Sequence, residues 1–445
     1  MSIRQLIHSG ACCLIFAFSV SVLAQERTAS IQVEVPDRPL VLRQALQFAR
    51  NNIDVQVARL AVTGAQGDLL GADRSPFPTL SLRTSQIDLQ NGNGPGSLLT
   101  EKTIDKSIGI DWTWERGNKR GIRAELAQRT IAAVQADLEE TQVAQALAAA
   151  SAFHDVAAAQ EKLNLVADIE RSAAQLATTA LQRVRVGDLS AQDAARLEIE
   201  ASRTRGDVLI ARMDLRRSAI VLAQMLGLSW KPVASNEAGV ILKVEPQWPP
   251  SDVRQPQFTP TELLVARRPD VRAAQERVQV AQKGVDAASA LKKADITWGV
   301  SYDHFPGTST GLIELRMQMP IQTGPSRGYD FQGEALRAQS NLAQAQANLE
   351  KIRLAAWSEM QRIAQEVDTA ENRWLGYNRD VLPRASQVAQ NAELAYRLGA
   401  QSLGDLLDAR RTLRATQLEA LTARVDYAKA QGALQLRSGG SALRP

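Results

Sequence analysis

Residues 183–193 read RVRVGDLSAQD, and an altered copy, YRLGAQSLGD, stands at 396–405. Aligned on glycine, both contain Gly-x-x-Ser-x-x-Asp: Gly187, Ser190 and Asp193 in the first, Gly399, Ser402 and Asp405 in the second. Each phrase interrupts a stretch with helical spacing. Glycine readily takes the positive φ that ends a helix, serine caps the start of the next, and aspartate three residues on completes a capping-box-like pair. The two phrases therefore predict two helix reversals, with tips at about 185–190 and 397–402.

The stretch before the first reversal is long. No proline occurs between Pro95 and Pro232 and no glycine between Gly121 and Gly187, so a helix over this span approaches ~100 Å at ~1.5 Å per residue. Ile131, Val134, Leu138, Leu163, Val166 and Ile169 keep helical spacing, and Ala144–Ala159 is dominated by alanine. Such an uncapped periodic run reads as coiled coil, with small side chains that let neighbouring helices approach closely.

Ahead of it, KSIGIDWTWE alternates Ile108, Ile110, Trp112 and Trp114 with Ser107, Gly109, Asp111 and Thr113. That period is the mark of a strand with one apolar and one polar face. TLSLRTSQIDL (79–89) is a weaker strand, joined to the strand at 107–115 by the turn-rich QNGNGPGS. The second half replays this order with DITWGVSYDH (295–304), the turn FPGTST, and a strand over 311–321 carrying Ile313, Leu315, Met317 and Met319. A helical run then resumes at about Tyr329, pauses at Pro383 and meets the second glycine phrase. Upstream, RNNIDVQVA (50–58) corresponds to RRPDVRAAQ (267–275). The chain is thus a tandem duplication, with a first repeat at 40–230, a proline-rich connector at 231–260, a second repeat at 261–437, and tails at 25–39 and 438–445.

The N-terminus has Arg4, an apolar run from Leu14 to Leu23 and small residues ending at Ala24, the pattern of a secretory signal peptide spanning 1–24. Cys12 and Cys13 both fall inside it, so the exported chain has no thiol for a disulfide, a nucleophile or a metal. No later apolar run reaches the ~18 residues of a membrane-spanning helix, and an exported chain of this kind is either soluble or enters a membrane as β-strands. The formal charge of +4 comes from Lys and Arg interspersed with Asp and Glu, a solvated surface rather than a nucleic-acid footprint. After the signal, histidine occurs only at His154 and His304, without a second histidine or cysteine nearby, so no zinc site, cofactor or catalytic constellation is expected. TGPSRG (323–328) lacks the Gly-Lys-Ser/Thr ending of a phosphate loop.

Four strands do not close a barrel. A Trp/Ile face opposite a Ser/Gly/Asp face suits lipid on one side and water on the other, and three chains would supply twelve strands, an even total. A soluble two-layer domain with the apolar faces packed inward is the alternative.

The duplicated strand–strand–long-helix order, the two glycine turns and YRLGAQSLGDLLDA (396–409) resemble the TolC-type outer-membrane factors over nearly all of the exported chain. WERGNKRGIRAE (114–125) is most similar to the Glu-x-Gly-Gly-Lys-Arg segment of the CzcC-like branch, which serves heavy-metal pumps of the resistance-nodulation-division type; Asn118 stands here in place of the second glycine. The resemblance implies an α plus transmembrane-β fold: a homotrimer whose twelve-strand β-barrel in the outer membrane is continued by a twelve-helix α-barrel through the periplasm. It implies a passive exit duct, not an enzyme, joined by a periplasmic adaptor to an inner-membrane pump. A duct of the same family for drug efflux or type I secretion is an alternative. A periplasmic adaptor, from another class, would show one tip rather than two.

Asp408 lies three residues after Asp405 on the same helical face, where a capping box has no further use for it. A threefold assembly would place six such carboxylates round the aperture, and by resemblance both match aspartates that ring the family's constriction. Like charges at close range repel, so a closed tip needs cations or basic partners; Arg196, which the first copy has in the place of Asp408, is a candidate for that role. Asp193 shares the capping position. Tyr396 matches a family tyrosine that holds the tip shut, although Gln401 stands where a basic partner is usual. Arg183, Arg185, Leu189, Arg397 and Leu403, beside Gly187, Ser190, Gly399 and Ser402, are candidates for adaptor docking. Trp112, Trp114 and Trp298 fit anchors at a membrane interface.

Overall fold

The computed structural model describes residues 38–90, 92–95, 103–228, 242–249, 258–306, 309–321 and 329–439. The expected signal peptide, the phosphate-loop-like 323–328, nearly all of the N-terminal tail, and much of the connector and C-terminal tail lie outside the described residues. Helices α1 (Leu42–Ala49) and α2 (Ile53–Ala72) lead into strands β1 (Thr79–Ser85) and β2 (Asp105–Trp114), followed by α3 (Lys119–Arg185) and α4 (Ala191–Met225). The second set repeats the order: α5 (Glu262–Ala266), α6 (Pro269–Ala290), β3 (Ile296–Phe305), β4 (Ser309–Gln318), a descending helix in two pieces, α7 (Gln332–Gly376) and α8 (Leu382–Arg397), and finally α9 (Leu403–Arg437).

Helix α3 runs for 67 residues without a break, ~100 Å long at ~1.5 Å per residue. Alanine makes up most of its buried face, with Ala146, Ala149, Ala150 and Ala157 flanking Phe153 and Val156. The second descending helix does not stop at Pro383. Instead a single π-helical turn, Tyr377–Val381, precedes α8. Proline has no N–H to donate and its ring crowds the carbonyl four residues back, and the wider turn absorbs both faults without ending the rod.

The four strands form one antiparallel sheet in chain order, β1-β2-β3-β4. Its register aligns apolar residues across every pair: Leu80 with Ile110, Ile110 with Val300, and Val300 with Leu315. Trp112 faces Trp298, which faces Met317. The resulting apolar face is uncovered, with Leu82 73% and Leu315 78% exposed. A two-layer domain would bury it. On the opposite face Thr113 and Thr297 share a hydroxyl hydrogen bond of 3.1 Å, and Arg316 donates to Asp111 at 2.5 Å.

Two strand ends fall three or more residues short of the sequence expectation. Strand β1 ends at Ser85 rather than 89, because Gln86 adopts φ +60 and leaves extended geometry, at the point where the alternation slips. Strand β4 ends at Gln318 rather than 321, two residues before Pro320, which has no N–H for a ladder.

The strand-to-helix junction explains the charged segment at 114–125. Gly117 has φ +78 and Asn118 φ +56, and asparagine is among the few side chains that tolerate this left-handed region. Asn118 therefore does the conformational work of the glycine it replaces. Arg123 pairs with Glu115 at 2.5 Å and Lys119 with Asp295 at 2.9 Å, tying β2, α3 and the start of β3 together.

At the waist of the molecule the connector straps across α3. Leu40 and Val244 form a parallel bridge, and Gln160 makes both side-chain hydrogen bonds to the Val244 backbone, at 2.8 and 3.0 Å. Asn52 caps α2 and donates to the Met225 carbonyl at 2.8 Å, fixing the end of α4 beside the start of α2. Trp248 donates to Glu161 at 2.6 Å, stacks on His154, and lies 4.4 Å beneath the Arg424 guanidinium.

His154 is 3% exposed, and among the described residues its Nδ1 finds no hydrogen-bond partner. Burial, with Lys429 nearby, lowers its pKa from the usual 6.5 to about 4. Its stabilising contribution is full above pH 6.5, falls as the pH drops from 6.5 to 4, and is lost below. The difference amounts to about 3 kcal/mol. Denaturant unfolding of the wild type and His154→Phe should diverge across this window, with the variant showing the flatter pH dependence.

Candidate functional site

The two glycine phrases close by the same backbone chemistry. At the end of α3, the Gly187 N–H donates to Val184 O at 3.1 Å and the Asp188 N–H to Arg183 O at 2.9 Å. At the end of α8, Gly399 donates to Tyr396 O at 3.1 Å and Ala400 to Ala395 O at 2.8 Å. Both pairs satisfy carbonyls that a helix end would leave bare, the Schellman arrangement, and it requires the φ of +78 at Gly187 and +75 at Gly399. Ser190 Oγ then accepts from the Asp193 N–H at 3.1 Å, and Ser402 Oγ from the Asp405 N–H at 3.2 Å. Asp405 returns the bond, accepting from the Ser402 N–H at 3.1 Å. Asp405 thus completes a capping box, whereas Asp193 accepts from the Ser190 hydroxyl at 2.8 Å.

The tips pack against each other through small residues. Ala173, Ala177 and Ala180 of α3, Ala194 and Leu197 of α4, Ala392 of α8, and Leu403, Leu406 and Leu407 of α9 form one buried cluster. Leu189 and Tyr396 pack against its edge. Leu403, expected as a docking residue, is 6% exposed; it follows the Ser402 cap directly, and the first turn of α9 points it into the cluster. Arg185 and Arg397 flank the turns, and Arg183 folds back on Asp188 at 2.7 Å.

Within one chain Arg196 pairs with Asp193 rather than with Asp408. It lies 3.7 Å from Asp193 on its own helix, while Asp408 sits 3.6 Å from Arg411, three residues on. Side chains three apart on one helix reach each other without crossing the tip. Asp408 is 78% exposed at its side chain, and Asp405 is also on the surface.

Sequence reasoning passed over the arginines of α9. Arg410 donates to Ser172 of α3 at 3.1 Å and to Glu393 of α8 at 3.0 Å; Arg411 reaches Glu200 of α4 at 3.2 Å; Arg414 pairs with Asp207 of α4. They line a groove of ≈ 380 Å³ between the two hairpins. The comparison of copies that singled out Asp408 would have found them, because the aligned first-copy positions are Glu198, Ile199 and Ser202. Among the described residues there is no group of three or more His, Cys, Asp or Glu that could hold a metal ion.

No family profile matches the chain. The pyoverdine export outer membrane protein OpmQ of Pseudomonas putida is 26% identical over 420 residues, covering 90% of this chain and 86% of the relative. The cobalt-zinc-cadmium resistance protein CzcC of Cupriavidus metallidurans is 24% identical over 404 residues, covering 88% and 89%. The CmeC outer membrane channel of Campylobacter jejuni superposes with a TM-score of 0.73 at 13% identity, covering 90% of this chain and 85% of that one. The chain resembles the TolC-type outer-membrane factors over nine-tenths of its length and shares the fold of these channels. In that fold the tip is the free end of two hairpins reaching away from the sheet.

Substituting the turn glycine separates backbone conformation from packing, since nothing lies within 4 Å of a Cβ added at Gly399 or at Gly206 in mid-α4. Gly399→Ala should cost about 1–2 kcal/mol through its positive φ, raising amide exchange at 396–405 by roughly 5- to 30-fold. Gly206→Ala, at helical φ, should instead slow exchange in α4.

Proposed function

We propose that this protein is a trimeric exit duct that passively conducts cargo, heavy-metal cations first among the candidates, from an inner-membrane pump and its periplasmic adaptor across the periplasm and outer membrane. One observation carries the reading: a sheet with an uncovered apolar face and two open edges continues directly into helices ~100 Å long. Unpaired strand edges cannot face lipid. Three copies joined edge to edge remove them and enclose the Asp111–Arg316 face as a wet lumen. Trp112, Trp114 and Trp298, all exposed, then face the bilayer.

At the other end, Asp405 and Asp408 form an acidic aperture ring, and Tyr396 with the α9 arginines holds the hairpins together behind it. Asp193 and Arg196, paired on the first hairpin, flank the ring. Arg183, Leu189 and Arg397 offer the adaptor a surface at the turns. The metal reading comes from the likeness of 114–125 to the CzcC-like branch and from the CzcC relative itself.

The assembly is tested by native mass measurement in mild detergent, where a trimer is expected and a monomer overturns the duct. Replacing Asp405 and Asp408 together by alanine should raise single-channel conductance or abolish block by multivalent cations in planar bilayers; unchanged conductance and block would remove the ring. Loss of the gene should sensitise cells to cobalt, zinc or cadmium. Sensitivity to organic compounds alone would replace the cargo and leave the duct standing.

A further inference from the structure

The two outermost helices of the sheet-proximal bundle carry unpartnered seams that match each other. In this part of the chain α2 packs on α3, α3 on α6, and α6 on α7, so α2 and α7 are the two ends of the row; α7 also meets α5 and α9, through Leu349 and Ile352 onward. Toward α3, α2 turns Val55, Ala58, Val62, Ala65 and Leu69, all at least partly buried. On its opposite side Ile53, Val57, Leu60, Gly64, Gly67 and Gly71 are all exposed, spaced 4, 3, 4, 3 and 4 residues apart, the spacing of a coiled-coil seam. Ile53, Val57 and Leu60 are 69%, 61% and 63% exposed, and nothing lies within 4 Å of a Cβ added at the three glycines.

Helix α7 shows the same division. Ala335, Ala338, Leu342, Ala345 and Leu349 are partly buried, toward α6. Opposite them Leu336, Ser340, Ala343, Ala347, Glu350 and Leu354 are exposed, again spaced 4, 3, 4, 3 and 4.

We propose that these seams are the contact between successive copies of the chain, with α2 of one copy lying antiparallel to α7 of the next and Gly71 level with Leu336. The proposal rests on the trimer reading and supplies its register. α2 runs toward the sheet and α7 away from it, so side-by-side copies bring them together antiparallel. Both seams then cover the same length, ~27 Å at ~1.5 Å per residue. With Gly71 at Leu336, all six layers face each other: Gly67 meets Ser340, Gly64 meets Ala343, Leu60 meets Ala347, Val57 meets Glu350 and Ile53 meets Leu354. A slip of one layer breaks the alternation of threes and fours, and a slip of one heptad leaves two layers at each end unpaired. Size is complementary as well. The glycines open a notch for the Leu336 knob at the sheet end, and Leu60 and Val57 meet a small alanine and the flexible stem of Glu350 farther down.

Cysteine cross-linking of the full-length protein in outer membranes tests the register, since the two native cysteines lie in the segment expected to be removed. Leu60→Cys with Ala347→Cys puts the thiols on one level between copies. Within one copy α3 and α6 intervene, three helix spacings or about 25 Å, beyond the ~7 Å Cα separation a disulfide spans. Oxidation should give covalent dimers and trimers. Leu60→Cys with Ser340→Cys, one heptad or ~10 Å off, should give none. Cross-linking of the offset pair, or none in the level pair while native mass shows a trimer, overturns the seam and spares the trimer reading; a monomeric mass overturns both. Gly67→Leu fills the notch and should shift the native mass from trimer toward monomer with helical content retained. A trimer of unchanged stability would sink the notch.

Discussion

A strand edge is a row of unpaired N–H and C=O groups, and hydrocarbon offers them no partner. This sheet has two such edges, on β1 and β4, with a lipid-compatible face between them. The rest of the architecture answers that constraint. Closing the edges takes further copies of the chain, and the helices that flank the sheet must then fit their neighbours with the same repeat. Duplication within the chain serves the same end, since two similar hairpins per copy would give a near-uniform ring from few copies.

The far end obeys a different accounting. Each reversal must satisfy the last carbonyls of one helix and the first N–H groups of the next, and both do so with a left-handed glycine and a serine cap, to which the second adds the Asp405 carboxylate. With the backbone satisfied locally, the side chains between helices are released for other work. On α9 they form a line of cations, Arg410, Arg411, Arg414, Arg424, Lys429 and Arg437, each paired with an acid on another helix. Most of these pairs are partly solvated and individually weak; together they bias α9 toward one position among its neighbours.

How much was legible beforehand depends on whether a signal is local. The reversals were readable to the residue, because capping and left-handed glycine are short-range chemistry. The period-two strands were readable on one face and failed at their ends, where Gln86 turned and Pro320 interrupted the ladder. The long helix was readable from an absence of proline and glycine. What stayed hidden was pairing across helices: Arg196 looked like a partner for Asp408 because the copies align there, yet each charge found a nearer neighbour on its own helix. Leu403 looked like surface because it follows a turn, and its direction into the core depended on three other helices. The role of Asn118 was visible only as a departure from a pattern until its backbone showed why asparagine serves.

The π turn at Tyr377–Val381 also sets rotational phase. One residue more or less in a helix rotates everything beyond it by about 100°. The face that α8 presents at the tip, with Ala392 and Tyr396 against the buried cluster, is therefore decided some way up the rod, at a turn that touches neither. The first hairpin has no such adjustment, and its α3 reaches the tip in uninterrupted α-helical phase. The two copies arrive at one shared core by differently wound routes, so a single-residue deletion in the π turn would turn the Ala392–Tyr396 face away from its partners while leaving every contact above it in place.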